Sequence, residues 1–196
     1  HNCYSKVEFE KLFKYSNGVY SLKQQKNTIK SPVIIPPGVE VYFKPGDELN
    51  IVQKGFILSF SPVNMDGSKS SPIKVLSTDS SGNGFHVINA RTKSILNYVI
   101  FNGLSNLNYD SWKLPSAVTF YESPVHINNC ILNNNNCEDA INIFRSTPYL
   151  FENSTISNTF SDAFDADFSN GIIKNCKIIN SGNEGIDISG SQITIE

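Results

Sequence analysis

Along the C-terminal half of the chain, apolar residues recur in short alternating runs separated by clusters of Asn, Ser, Gly and Asp, with almost no helical periodicity. The stretches SAVTFYESPVHINNCILNNNN, DAINIFRSTPYLFENSTISNTF and DAFDADFSNGIIKNCKIINSGN, followed by the shorter EGIDISGSQITIE, share one pattern of apolar pairs, turn residues and asparagines. Ala117, Ala140, Ala163 and Gly185 align at spacings of 23, 23 and 22 residues. A period of this size, with β-branched and aromatic residues at alternate positions, predicts an all-β solenoid with coils of about 22–23 residues.

The repeat fixes which side chains stack. Val118, Ile141, Phe164 and Ile186 fall in one column, and Phe120, Ile143, Ala166 and Ile188 in a second two residues on. Strand side chains alternate, so both columns point to one side, and their apolar character makes that side the interior. Asn97, Asn129, Asn153 and Asn175 read as a further column at a bend, their amides pairing from coil to coil as a structural ladder facing inward. On this reading the sequon Asn153-Ser154-Thr155 is closed to glycosylation.

Residues 1–30 are the least regular and form a cap region; residues 31–196 form the solenoid. Two readings fit the cap. Ser5 and Glu8 have capping-box spacing, with Val7, Phe9, Leu12 and Phe13 on one face of a short helix that plugs the first open edge. Alternatively, Tyr15, Val19, Tyr20 and Leu22 suit irregular strands. The first full coil starts at Ser31, between the turn signals Pro36-Pro37-Gly38 and Pro45-Gly46-Asp47. The stretch from Leu104 to Ser116, which carries Trp112, reads as a loop inserted on one face.

Composition narrows the function classes. Charged residues make up 17% of the chain and the formal net charge is −2, so there is no basic stripe for nucleic acid. No run reaches the apolar length of a membrane span. The start lacks an initiator Met and reads as a processed or engineered end. Cys3, Cys130, Cys137 and Cys176 have no metal-like spacing. Cys130 and Cys176 share a column two coils apart, roughly 9 to 10 Å, too far for a bridge. Cys130 and Cys137 pair only if the Asn-rich turn folds back; free, buried thiols are the favoured reading.

Between the two inward columns lie His86, Thr119, Asn142, Asp165 and Asp187, pointing out. One step along are Tyr121, Phe144, Asp167 and Ser189, and just before the strand come Ser116, Asp139, Asp162 and Glu184. Stacking places Asp165 and Asp187 about 5 Å apart, and Asp165 and Asp167 about 6.8 Å apart. These separations suit paired carboxylates of a glycosidase, and Asp165, Asp167 and Asp187 together suit a hard cation such as calcium. Stacked like charges cost up to roughly 1 kcal/mol per pair, which weighs for a ligand, while a solvated polar face is the alternative. Tyr121 and Phe144, with Trp112 in the preceding loop, form either a platform for sugar rings or a surface packed beneath that loop.

The repeat pattern from about Ser31 onward, with Asn at a bend of each coil, resembles the right-handed single-stranded parallel β-helix of the pectate-lyase-like superfamily. That resemblance is specific for fold and spans lyases, hydrolases, epimerases, tailspikes and adhesins. It implies calcium on the outward strand face bridging an acidic sugar, with Arg145 as the proton-abstracting base. The sequence has no Gly-His-Gly or Asp-Asp pair of the polygalacturonase type and no Asp-Pro-His of the alginate-epimerase type. Three classes follow. The leading one is a secreted or cell-surface module contacting polysaccharide through Tyr121, Phe144, Asn142, Trp112 and the Asp165, Asp167, Asp187 face; the others are a lyase or hydrolase with Asp165, Asp167, Asp187 and Arg145 catalytic, and a purely structural or adhesive solenoid. SQITIE stops inside a strand, so further chain or a partner is expected over that edge.

Overall fold

The computed structural model describes residues 2–196, with side chains from Val7 onward; His1 and the side chains of Cys3 and Ser5 lie outside the described residues. Both readings of the N-terminal segment are realised in succession. A helix runs over Asn2–Leu12, starting ahead of Ser5, and a hairpin of Phe13–Ser16 and Val19–Leu22 follows. Asn17 and Gly18 make its turn with φ of 53° and 86°, the paired positive angles that fit strand twist. Phe9 and Phe13 are buried with ring centroids 5.0 Å apart, and Phe13 meets Phe43 edge-on at 5.7 Å, so the cap joins the core directly. Val7 is 47% exposed and lies off the packed face.

The rest is three parallel sheets stacked coil on coil. The first holds Pro32–Ile35, Phe56–Ser59, Phe85–Ile88, Ser116–Tyr121, Asp139–Phe144, Asp162–Asp167 and Ile186–Ser189 as neighbours in chain order, which makes about seven turns. The second runs from the N-terminal hairpin to Gln192–Ile195, and the third from Lys26–Ile29 to Lys177–Ile179. Parallel pairing starts ahead of Ser31, with Tyr20 opposite Val41 and Lys26 opposite Glu48. The register reproduces both apolar columns: Val118, Ile141, Phe164 and Ile186 are aligned, as are Phe120, Ile143, Ala166 and Ile188. All but the last-coil residues Ile186 and Ile188 are buried, so each sheet contributes alternate side chains to one continuous apolar interior. Among the described residues no helix is long and apolar enough to cross a membrane.

The corners explain the asparagines, and correct their orientation. From Asn89 onward one residue at each corner takes a left-handed conformation, in three columns: Asn89, Glu122, Arg145, Phe168 and Gly190; Tyr98, Asn129, Asn153 and Asn175; Gly103, Asn134, Asn158 and Asn180. Asn tolerates φ near +50° better than other side chains, which is why it fills two of these columns. A left-handed residue turns the backbone around the core and throws its own side chain outward. Asn153 and Asn175 are therefore exposed, against the inward ladder the sequence suggested, and the sequon at Asn153 is open to solvent. Asn97 sits one position early, opposite Asn128, with Tyr98 at the corner. Coil-to-coil amide pairing does occur on the outside: Asn129 Nδ2 donates to Asn97 Oδ1 at 3.2 Å, and Asn153 Nδ2 to Asn128 Oδ1 at 2.9 Å.

From Glu122 onward the inward partner of each corner is a small polar residue or a cysteine next in sequence, where Ala90, Val99 and Leu104 stand in the coil before. Ser123, Ser146 and Ser169 are buried, and each hydroxyl accepts a backbone N–H from the preceding coil while facing carbonyls. Ser169 Oγ accepts from Ser146 N at 3.0 Å and donates within reach of Ile143 O and Asp167 O at 3.0 and 2.9 Å. Cys130 and Cys176 hold the equivalent place at the second corner with Ser154 between, and their thiols face Asn128 O and Lys174 O. Cys130, Cys137 and Cys176 are free thiols, and burial pushes Cys130 and Cys137 up to about 12, so they act as donors and not as nucleophiles.

Two outcomes test the corner logic. Ser169→Ala orphans the buried Ser146 N–H, and chemical denaturation is expected to show a loss of about 1–3 kcal/mol; an unchanged midpoint would contradict the ladder. At Asn153, Gly is expected to be tolerated within a few tenths of a kcal/mol, whereas Val, strained at φ 50°, is expected to cost about 1–2 kcal/mol in the same assay.

Candidate functional site

The outer face of the first sheet is two columns wide. Ile34, Leu58, His86, Thr119, Asn142, Asp165 and Asp187 form one; Ile88, Tyr121, Phe144, Asp167 and Ser189 form the other, with Phe60 continuing it. Chemistry changes sharply along the solenoid axis. In the early coils Phe56, Leu58 and Ile88 are covered by Leu107, and Leu114 packs against the same cluster. These belong to a hairpin, Leu107–Tyr109 with Trp112–Leu114, folded from the inserted stretch. Asn142 is still buried, and from Asp165 onward the face is half-exposed and acidic.

Where the hairpin closes, the polar column is buried and paired. His86 is fully buried; its Nε2 donates to Asn83 O at 2.8 Å, which leaves Nδ1 to accept from Thr119 Oγ1 at 3.0 Å. Ser116 Oγ lies 2.6 Å from Thr119 Oγ1 and supplies the next proton. Burial holds His86 down at about 4, so it stays a neutral structural link. The Ser116 contact also shows that the strand's first side chain reaches the outer face beside the fourth.

The same step brings Asp139, Asp162 and Glu184 to the outer carboxylates. Oxygens of Asp162, Glu184 and Asp187 lie within 4.8 Å of one another. Asp162 Oδ1 accepts from Glu184 N at 2.8 Å and Asn183 Nδ2 at 2.9 Å. Asn142 Nδ2 donates to Asp165 Oδ2, and lies 3.4 Å from Asp167 Oδ2, so one amide spans both acids. Asp165 is pushed up to about 7, first by burial and then by the charges of Asp167 and Asp187. Asp139 is also pushed up to about 7, by burial and then by Asp165, Glu138 and Asp162. One oxygen of each, Asp139 Oδ2 and Asp165 Oδ1, is buried without a hydrogen-bond partner.

The sequence-designated residues fall into three groups. Asp165, Asp167, Asp187 and Asn142 share one face. The carboxylates whose oxygens converge are Asp162, Glu184 and Asp187, whereas Asp165 turns to Asn142 and its ionised form is disfavoured. Tyr121 and Phe144 stack with centroids 5.1 Å apart and 8° between planes, and Phe168 meets Phe144 edge-on at 6.0 Å. Stacking on each other leaves mainly ring edges outward, so the flat platform is corrected to a ridge. Tyr121 also packs against the cluster under the hairpin. Trp112 is 47% exposed and makes no ring contact among the described residues, so it does not extend the ridge. Arg145 points its guanidinium over the Phe144 and Phe168 rings, at 5.4 and 6.0 Å, which places it as a cation–π cap on the ridge.

Asp139, Asp162, Glu184 and Phe168 were absent from the sequence-designated site. The first three stood in one aligned column, and only the bend at the strand start shows that this column joins the outer face. Phe168 gave a signal in the corner spacing Glu122, Arg145, Phe168, Gly190.

A family model described as a right-handed beta helix region matches residues 61–196. No curated protein and no solved structure gives a significant match to the chain. The matched region takes in the hairpin and the whole acidic face, and the pectate-lyase-like superfamily is consistent with it. With that match covering more than half of the residues and the stacked parallel sheets described above, the chain belongs to the right-handed beta-helix family.

Proposed function

We propose that this β-helix is a secreted or cell-surface module whose open outer face binds polysaccharide. The observation that carries the reading is the run of half-exposed carboxylates Asp165, Asp167 and Asp187 along one outer column pair, set beside the stacked rings of Tyr121 and Phe144. Accessible carboxylates accept hydrogen bonds strongly, and a hydroxyl-rich polymer supplies donors in a row. The Tyr121, Phe144 and Phe168 ridge beside them offers apolar edges to sugar C–H groups. Coils repeat every ~4.8 Å, so the face presents equivalent groups along one line, as a polymer requires.

Asp162, Glu184 and Asp187 are the residues that would hold calcium, since three carboxylates converge and a hard cation takes oxygen ligands. Calcium would supply a positive link to an acidic sugar on a face that otherwise repels it. A second reading, hydrolase chemistry, is favoured by one observation: Asp165 and Asp139 lie near 7, where a carboxyl keeps its proton at neutral pH and acts as a general acid. Release of reducing ends or unsaturated products from wild type would select an enzyme over a binding module. Neither products nor binding would leave the structural solenoid.

For binding, Phe144→Ala is expected to weaken glycan affinity about tenfold by calorimetry, and Asp187→Ala to abolish any calcium-dependent increment. Unchanged affinity in both would remove this face from consideration. A second measurement concerns pH. Because the folded Asp165 carboxyl is raised to about 7, it favours folding below about 4 and this contribution is lost as pH rises through 7. Asp165→Asn is therefore expected to be more stable than wild type at pH 8, with the gap closing towards pH 4. His86, held low, changes stability in the opposite sense between about 4 and 6.5, but it is common to both proteins and drops out of the difference.

A further inference from the structure

The corner after the first sheet has unequal lengths in the early coils. Ile35 and Ser59 are aligned, as are Val41 and Val63, so residues 36–40 of one coil lie above only residues 60–62 of the next. Val87 aligns with Ser59 and Ile95 with Asn64, so residues 88–93 span the same corner in the coil after. A short corner between two long ones leaves a notch of about 680 Å³. That volume falls within the about 300–1,000 Å³ typical of small-ligand pockets.

The notch is built rigidly. Ser61 Oγ donates to Pro36 O at 2.7 Å and accepts from Val39 N at 3.1 Å, which ties one wall to the floor. Ala90 N donates to Ser123 Oγ at 2.9 Å and Val63 N to Ser94 Oγ at 3.1 Å, which ties the other wall to its neighbours. Phe60, Pro62 and Ile95 supply apolar surface, and Asn64 lies beside them. Glu40 stands on one wall, and Arg91 and Lys93 on the other. Among the described residues the side chains of Arg91 and Lys93 make no ion pair or hydrogen bond, so both cations are available to a ligand.

We infer that this notch is a second glycan subsite, selective for an anionic sugar unit such as a uronate. The carboxylate lies between Arg91 and Lys93, where two cations outweigh the one acid. A pyranose face rests on Phe60 and Pro62, and its hydroxyls donate to Glu40 and exchange hydrogen bonds with Asn64. The site is independent of the acidic face. It spans the first to third coils, whereas the carboxylates occupy the fifth to seventh, and its charge has the opposite sign. It takes from the polysaccharide reading only the ligand class.

The test maps backbone amide shifts of the full chain by NMR in calcium-free buffer, with trigalacturonate as probe and neutral maltotriose as control. Trigalacturonate is expected to shift the amides of Asn64, Asn89 and Thr92, and the variant Arg91→Ala with Lys93→Ala to weaken that binding about tenfold or more. Equal response to maltotriose, affinity unchanged in the double variant, or no shift at these amides up to about 10 mM probe each overturns the subsite. Failure of the polysaccharide reading at the acidic face reads out separately, as the absence of shifts at Asn142 and Asp165 with calcium restored.

Discussion

Each strand lies on the one before it residue against residue, and from Asn89 onward that register survives the corners because one backbone position at each corner turns left-handed. The constraint is severe. A residue other than Gly at φ near +50° costs on the order of 1–2 kcal/mol, and Asn reduces this through its short polar side chain. Two corners are filled mostly with Asn, while the corner bordering the acidic face holds Glu122, Arg145 and Phe168. A bulky residue such as Phe168 is an unusual occupant of this conformation. It is the residue that extends the aromatic ridge, so local backbone preference yields there to what the face presents.

Inside the corners the structure is frugal with polar groups. Serine hydroxyls sit where a backbone N–H must end and a carbonyl must be met, and they satisfy both from one coil to the next, while the cysteine thiols donate to carbonyls. The outer face departs from that economy. Carboxylates are stacked on carboxylates, two of them are buried enough to keep their protons near neutrality, and each of those has an oxygen with no donor. The serine-lined corners are thus paired coil to coil, while the outer face gathers like charges that the chain itself does not neutralise.

The hairpin divides that face. Leu107 and Leu114 pack on the apolar coils, next to which the His86, Thr119, Ser116 chain is buried, whereas Asp165, Asp167 and Asp187 further along are half-exposed. A single insertion thus draws the early part of the outer surface into the core, while the polar columns meet solvent from Asp165 onward. Corner length does comparable work on the adjoining edge, where one short corner between two long ones opens the notch.

The C-terminal repeat spacing was enough to place the apolar columns and to put Asn142, Asp165, Asp167 and Asp187 on one outer surface, because strand alternation and a constant period carry that information without reference to anything distant. The same spacing misjudged Asn153 and Asn175, since the sign of φ at a corner leaves no trace in an apolar pattern. It also missed the approach of Asp162 and Glu184 to Asp187, which depends on a bend at the strand start, and the destiny of Trp112 and Tyr121, which depends on how the hairpin folds back. The notch was invisible for a related reason: in the early coils the corner lengths differ, and only the hydrogen-bonded register shows which residues lie opposite one another. Sequence by itself determined what repeats and which side each strand residue faces, because those follow from local geometry. Which charges meet, which rings stack and which surface stays open were decided by the tertiary structure, because they depend on corners, bends and insertions that set neighbours far apart in the chain.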